Sequence, residues 1–183
     1  MNIAIIPARG GSKRIPRKNI KDFCGKPMIV WSIEAAKLSG LFDKIIVSTD
    51  DIEIANLARE YGAEVPFIRP AELSDDHVGT GEVVKHALEW VIKNIKMPEY
   101  VCTIYATAPF IKTITIKKGL KLIQHNNCLI VFTVTSFPFP IQRAIMITEN
   151  KRVQMFTPTN FMKRSQDLEP AYHDAGQLYW AKP

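Results

Sequence analysis

The chain has 183 residues, 46% hydrophobic and 23% charged, which suits one α/β domain with a sizeable core and leaves little room for two domains. No apolar run reaches the roughly 18 residues of a membrane helix, and the N-terminus enters a strand without a signal-like pattern, so a soluble cytoplasmic protein is expected. Cys24, Cys102 and Cys128 are odd in number and form no C-x-x-C pair, and His77, His86, His125 and His173 lack metal-ligand spacing. Free thiols are therefore expected and a zinc site is not, which favours a reducing compartment.

Asn2 to Pro7 is an apolar, β-rich run that reads as the first strand of a buried parallel sheet, followed by a long basic loop. Pro27 suits the first turn of a helix over Met28 to Ser39 that Gly40 ends. Asp43 to Thr49 is a second strand, Ile52 to Tyr61 a helix closed by Gly62, and Val65 to Ile68 a third, short strand. An amphipathic helix follows over Val83 to Ile95, then a strand over Tyr100 to Tyr105, a helix capped by Thr113 and running through Gln124, and a strand over Cys128 to Val134. This alternation predicts an α/β fold, a three-layer αβα arrangement around a doubly wound, mostly parallel sheet, with ligands at the carboxyl ends of its strands. From Ser136 the alternation stops, and residues 136–175 read as an inserted arm of strands and loops. Gly176 to Ala181 resumes an apolar strand with no crossover helix after it, so the domain is expected to extend beyond the given sequence.

The chemistry concentrates in the loop after the first strand. Seven Lys or Arg residues and one acid lie between Arg9 and Lys26, a local +6 that equals the net charge of the whole chain. A positive field focused at one strand end suits a compact polyanion. Gly10 and Gly11 let backbone N–H groups turn toward phosphate oxygens, which a merely solvated basic face would not need. Nucleic-acid binding would call for interleaved aromatics, and only Phe23 lies in the run. The Walker loop is excluded because Gly10, Gly11, Ser12 and Lys13 are adjacent and Pro16 interrupts any helix; the dinucleotide fingerprint lacks its third glycine. A long loop wrapping a nucleoside triphosphate remains.

Ile5-Pro-Ala-Arg-Gly-Gly-Ser-Lys13 with Lys18-Asn19, then Val47-Ser-Thr-Asp50, Arg69-Pro-Ala-Glu72 and Thr107-Ala-Pro109, in this order, resemble the CMP-sugar synthetases that activate sialic-acid-type sugars. Phe137-Pro-Phe-Pro-Ile-Gln-Arg-Ala144 and His173-Asp-Ala-Gly-Gln-Leu-Tyr-Trp180 look most like the pseudaminic acid branch of that family. The resemblance implies a Rossmann-like nucleotidyltransferase that moves CMP from CTP to the anomeric hydroxyl of a nine-carbon keto-sugar acid and releases pyrophosphate, with Mg²⁺ as cofactor. It also implies a homodimer to which the arm contributes, and no nucleic-acid or membrane partner.

On that resemblance Arg9, Lys13 and Lys18 are expected to contact the triphosphate, with Arg9 or Lys18 stabilising the leaving pyrophosphate. Ala8, Gly10, Gly11 and Ser12 line the same loop, the latter three as backbone donors, and Asn19 fixes it. Arg69 matches a position that reads cytosine, and Thr80 lies near the position of a hydroxyl there. Asp50 either touches ribose or metal or caps the following helix. For the sugar the candidates are Thr107, Arg164, Gln166, Asp174 and Tyr179, with Arg164 chosen for the carboxylate because an arginine binds one bidentately. Phe137, Phe139, Phe156 and Phe161 in the arm are better explained as an apolar dimer interface than as a sugar platform.

The metal ligands stay unassigned. Family members carry an Asp-x-Asp-type segment that nothing after Trp180 supplies, and the adjacent pairs Asp50-Asp51 and Asp75-Asp76 are expected to diverge. Open alternatives are a sugar nucleotidyltransferase for N-acetylneuraminate or 3-deoxy-manno-octulosonate, and a nucleotide-binding module without catalysis.

Overall fold

A computed structural model describes residues 1–183. The chain divides into two compact units, residues 1–133 with 176–183, and residues 134–175.

In the first unit the elements follow as β1 (Asn2–Pro7), β2 (Asp22–Phe23), β3 (Lys26–Pro27), α1 (Met28–Ser39), β4 (Lys44–Ser48), α2 (Ile52–Glu60), α3 (Thr80–Asn94), β5 (Tyr100–Ile104) and α4 (Thr113–His125). Strand β6 (Ile130–Ser136) leaves this unit; β7 (Ile145–Ile147) and β8 (Val153–Met155) belong to the second, and β9 (Tyr172–Ala181) returns. The main sheet has the order β4-β1-β5-β9-β6. β1 pairs in parallel with β4 and β5, whereas β9 runs antiparallel to β5 with Trp180 opposite Cys102.

Alternation along the strands sorts the core into two faces. Ala4 and Ile6 of β1, with Cys102, Ile104, Leu178 and Trp180, pack against α1, α2 and α4. Ile3 and Ile5, with Ile46 and Val101, pack against Ala87 and Val91 of α3. Each of these fully buried isoleucines contributes about 2 kcal/mol of apolar burial. Trp180 fixes how closely α4 approaches β9. Its Nε1 donates to the carbonyl of Ile116 at 3.1 Å, and a Cβ on Gly119 would lie 2.6 Å from its ring, so only glycine fits there.

Several boundaries differ from the sequence reading. Val65 to Ile68 forms no strand. The chain meets β4 only through a bridge between Ile46 and Glu64, because Pro66 has no N–H to continue a ladder; the next bond is Arg69 N–H to the Thr49 carbonyl at 2.8 Å. Thr113 is the first residue of α4 and not its cap, since Lys112 holds the cap position without a side-chain bond. α2 is capped by Asp51, whose carboxylate accepts from the N–H groups of Glu53 and Ile54, and not by Asp50. α3 begins three residues earlier than its apolar periodicity, at Thr80, because its first turn is exposed and polar. β6 lies two residues later than expected, and β9 starts at Tyr172 instead of Gly176. Cys102 is buried and Cys128 half-buried, and burial pushes the Cys102 thiol well above its ordinary value.

The second unit is a small assembly of its own. β7 and β8 form an antiparallel hairpin. Gln142 donates to the Glu169 carbonyl at 2.8 Å, and buried Asn160 donates to the Gln142 carbonyl at 3.2 Å. No helix in either unit is long and apolar enough to cross a membrane.

Candidate active site

The site lies at the carboxyl ends of β1, β4 and β5, all in the first unit. A cavity of about 490 Å³ opens there, lined among others by Arg9, Lys13, Lys18, Arg69, Thr80 and Thr107. Residues scattered from position 9 to position 107 are thus brought around one cavity by the parallel register of three strands.

The basic loop is fastened at several points. Asn19 is buried, and its Nδ2 donates to the Arg9 carbonyl at 2.9 Å, closing the loop on itself. Arg17 takes the left-handed conformation at φ 55°, and its guanidinium pairs with both Asp51 and Glu53 at the start of α2. That backbone conformation costs about 1–2 kcal/mol, which the double ion pair helps offset. Arg17 in turn holds the Asp51 carboxyl below the usual carboxylate range, helped by the two capping amides. Gly10 meets the same turn. A Cβ there would lie 2.5 Å from Asp51 Oδ2 and 2.9 Å from Asp51 Cβ, so any side chain would push the loop off the sheet. At the far end, the β2–β3 hairpin is tied to α1 by Trp31 Nε1, which donates to the Phe23 carbonyl at 2.9 Å.

Of the expected backbone donors only the Gly11 N–H has no partner. The Ala8 N–H donates to the Ser48 carbonyl, the Gly10 N–H to Asp50 Oδ1 at 3.0 Å, and the Ser12 N–H to the Gly10 carbonyl. The loop's contribution to the cavity wall is therefore made mainly of side chains: Arg9, Ser12, Lys13, Arg14 and Lys18 line the cavity.

These cations are not equivalent. Arg9 Nη2 and Lys13 Nζ each grip one oxygen of Asp76, at 2.6 and 2.5 Å, and Arg9 Nη1 donates to the Asp75 carbonyl at 2.5 Å. Lys13 first, and Arg9 with it, hold the Asp76 carboxyl below its ordinary range. The neighbouring Asp75 carboxylate turns the other way, accepting from the N–H groups of His77 and Val78, which lower its own pKa. Lys18 and Arg14 have no carboxylate partner and face the cavity with their charge unspent.

Arg69 is only 4% exposed, and burial lowers its pKa while the Asp50 carboxylate opposes that shift. A guanidinium in such a place stays charged. Its Nε donates to Ser74 Oγ at 3.1 Å and its Nη2 to Asp50 Oδ1 at 3.4 Å, leaving Nη1 without a protein partner at the cavity wall. Thr80 Oγ1 lies 3.3 Å from the Tyr105 hydroxyl. The Tyr105 ring stands 5.3 Å from that of Tyr179, which stacks on Phe132 at 6.0 Å.

The sugar candidates divide. Thr107 lines the cavity, and Tyr179 reaches it through Tyr105. Arg164, Gln166 and Asp174 belong to the second unit. There Arg164 is exposed and grips Asp167 with two bonds, at 2.7 and 3.1 Å, while Gln166 lines a separate cavity of about 320 Å³ with Phe137 and Phe139.

Magnesium does not fit the carboxylates present. No three His, Cys, Asp or Glu side chains come together, Asp50 Oδ1 is shared by Gly10 and Arg69, Asp51 is taken by Arg17 and the α2 amides, and Asp75 and Asp76 turn to different partners. The sequence reading weighed Asp76 only as half of an acidic pair considered for a metal, and gave Arg14 and Tyr105 no role of their own. The available signal for Tyr105 was its place at the carboxyl end of a strand, and for Asp76 its position in an acidic pair just before the helix that carries Thr80.

The model of the protein family described as Cytidylyltransferase matches residues 3–177. A pseudaminic acid cytidylyltransferase of Campylobacter jejuni is 48% identical over 179 residues, covering 98% of this chain and 77% of that protein. An N-acylneuraminate cytidylyltransferase of Escherichia coli is 32% identical over 182 residues, covering 98% of this chain and 42% of that protein. Among solved structures, that of a CMP:2-keto-3-deoxy-manno-octonic acid synthetase complexed with CTP has a TM-score of 0.71 at 18% identity, covering 99% of this chain and 73% of the other, which shows the shared fold.

Proposed function

The chain belongs to the cytidylyltransferase family, and from that premise we propose that it transfers CMP from CTP to the anomeric hydroxyl of pseudaminic acid, a nine-carbon keto-sugar acid, releasing pyrophosphate. The observation that carries this reading is the cationic cavity at three strand ends, with unpaired Lys18 and Arg14 at one wall and buried Arg69 at another.

The sugar hydroxyl attacks the α-phosphorus as the bond from that phosphorus to the oxygen bridging to the β-phosphate breaks; pyrophosphate leaves and the hydroxyl proton passes to solvent. Negative charge grows on the bridging and leaving oxygens, so fixed cations stabilise the transition state more than the ground state. Arg9, Lys13 and Lys18 fill that role. Lys18, with no carboxylate to leave, is the group best prepared for the departing pyrophosphate. Arg9 and Lys13 exchange Asp76 for phosphate oxygens as CTP enters, and Asn19 keeps the Arg9 carbonyl in place. Arg69 Nη1 and Thr80 read the base. A donor-only guanidinium matches cytosine, whose O2 and N3 both accept, and clashes with the N3–H of uracil. Thr107 and Tyr179 hold the acceptor beside the α-phosphate. Arg164, Gln166 and Asp174 of the second unit remain candidates for its carboxylate and hydroxyls, and Arg164 must first release Asp167.

The reaction belongs in the cytoplasm, where CTP is made. It uses Mg²⁺ in our reading, but no step is assigned to the ion, because the carboxylates of this chain do not hold it. The protein acts as a homodimer, supported by Ile147, Phe156, Phe161 and Met162 of the second unit, which are all more than half exposed.

Pyrophosphate release from CTP, Mg²⁺ and pseudaminic acid tests the reading, with N-acetylneuraminate and 3-deoxy-manno-octulosonate as competing acceptors. Turnover with pseudaminic acid alone supports it, and turnover preferring another acceptor assigns a different sugar. Tight CTP binding with no pyrophosphate release from any acceptor identifies a nucleotide-binding module instead.

A further inference from the structure

We propose that Asp50 is a positioning residue that joins the base-reading and phosphate-binding halves of the site, and is not itself a ligand of nucleotide or metal. One oxygen, Oδ1, accepts from the Gly10 N–H at 3.0 Å and from Arg69 Nη2 at 3.4 Å. Gly10 belongs to the phosphate loop and Arg69 to the segment after α2, so a single carboxylate oxygen spans the two. The inference rests on the reading above that Arg69 faces the base.

The surroundings give Asp50 little freedom. It follows β4 directly, where the Thr49 carbonyl accepts from the Arg69 N–H at 2.8 Å and the Thr49 hydroxyl accepts from the Asp51 N–H at 3.1 Å. Asp51 caps α2 and takes Arg17, so it performs the separate task of holding that helix and the outer part of the loop. Arg69 is nearly fully buried, and Asp50 is the one carboxylate paired with it. A buried cation that loses its counter-charge becomes costly to keep in place and turns toward water. Gly10 backs onto Asp51, where a Cβ would lie 2.5 Å from Oδ2, so the loop cannot settle deeper on the sheet to compensate.

The two ends of this brace separate in the neutral isostere. Asp50→Asn keeps an oxygen for the Gly10 N–H but removes the charge that steers Arg69, whereas Asp50→Ala removes both. Calorimetric affinities for CTP, UTP and inorganic pyrophosphate are measured on the full chain, with the thermal midpoint as a folding check. In Asp50→Asn the preference for CTP over UTP falls at least about tenfold while pyrophosphate affinity stays within about threefold of wild type. In Asp50→Ala pyrophosphate affinity falls as well. Wild-type preference in Asp50→Asn, or wild-type pyrophosphate affinity in Asp50→Ala, overturns the proposal. So does a lowered thermal midpoint with all three ligands weakened in proportion, since that is the mark of a merely structural role. A wild-type protein without CTP preference would instead remove the reading of Arg69, and this inference with it. Intact wild-type preference with an insensitive Asp50→Asn would remove the brace alone.

Discussion

The basic loop from Arg9 to Lys26 and the second unit, residues 134–175, are both poor in regular structure, yet their side chains are used in opposite ways. The loop is tied to the sheet and its helices by Gly10 to Asp50, Arg17 to Asp51, and Trp31 to the Phe23 carbonyl, and it turns its remaining cations into a cavity. The second unit is tied to itself, through Gln142, Asn160 and Arg164, and leaves apolar side chains such as Ile147 and Met162 facing out. Irregular backbone held by a rigid frame can preorganise charge, which is what electrostatic catalysis requires. Irregular backbone with internal fastenings and an apolar exterior suits a surface whose geometry is completed by a partner.

The largest expected effect falls on the loop. Lys18→Ala lowers kcat for pyrophosphate release by about 100-fold or more while the thermal midpoint stays near wild type, because an unpaired cation aimed at developing charge is lost without disturbing an ion pair. Near-normal turnover would show that preorganised charge in the loop is not what drives the reaction.

Gly10→Ala comes next. Its methyl would enter the space held by Asp51, breaking the fastening of the loop, and CTP affinity should weaken about tenfold with a thermal midpoint lower by a few degrees. Calorimetry and a melting scan measure both. An unaffected affinity would mean that the loop does not need its frame.

Asp76→Asn has a smaller effect, in the opposite direction. Removing the carboxylate that grips Arg9 and Lys13 leaves both free for phosphate, so pyrophosphate binds roughly threefold to tenfold more tightly. Glu72→Gln, a nearby exposed carboxylate that touches neither cation, controls for the change in net charge. Weaker binding in Asp76→Asn would make Asp76 a support for the cations and not their competitor.

The smallest effect is on acid stability. Asp51 is held below its ordinary pKa, chiefly by Arg17, so its contribution is fully present above about pH 4 and is lost as pH falls through the lowered folded value. Arg17→Ala returns that folded value toward normal. The acid-unfolding midpoint, followed by circular dichroism, should therefore rise by about a few tenths of a pH unit; an unchanged midpoint would mean that the Arg17 clamp adds nothing to the frame.

Much of this was readable along the chain, for reasons that differ from element to element. β1, α1 and β5 announce themselves because apolar periodicity and flanking Pro and Gly are local signals. The strand expected at Val65 to Ile68 fails because β-branched composition cannot show that Pro66 interrupts the ladder. The cap at Asp51 was hidden by an adjacent Asp50 of the same chemistry, and only the direction of each carboxylate separates a helix cap from a brace.

The residue order alone fixed the kind of chemistry. A run of cations with two glycines after an apolar strand is a local concentration of charge, and charge density needs no fold to be recognised. Which of those cations are spoken for was decided by the assembled sheet. Parallel register carries Asp50, Arg69, Asp76 and Thr80 to the end of β1, far from it in sequence, and a carboxylate within 3 Å of a cation determines whether that cation is available. Such distances between remote residues arise only when the strands pair and the core closes behind them.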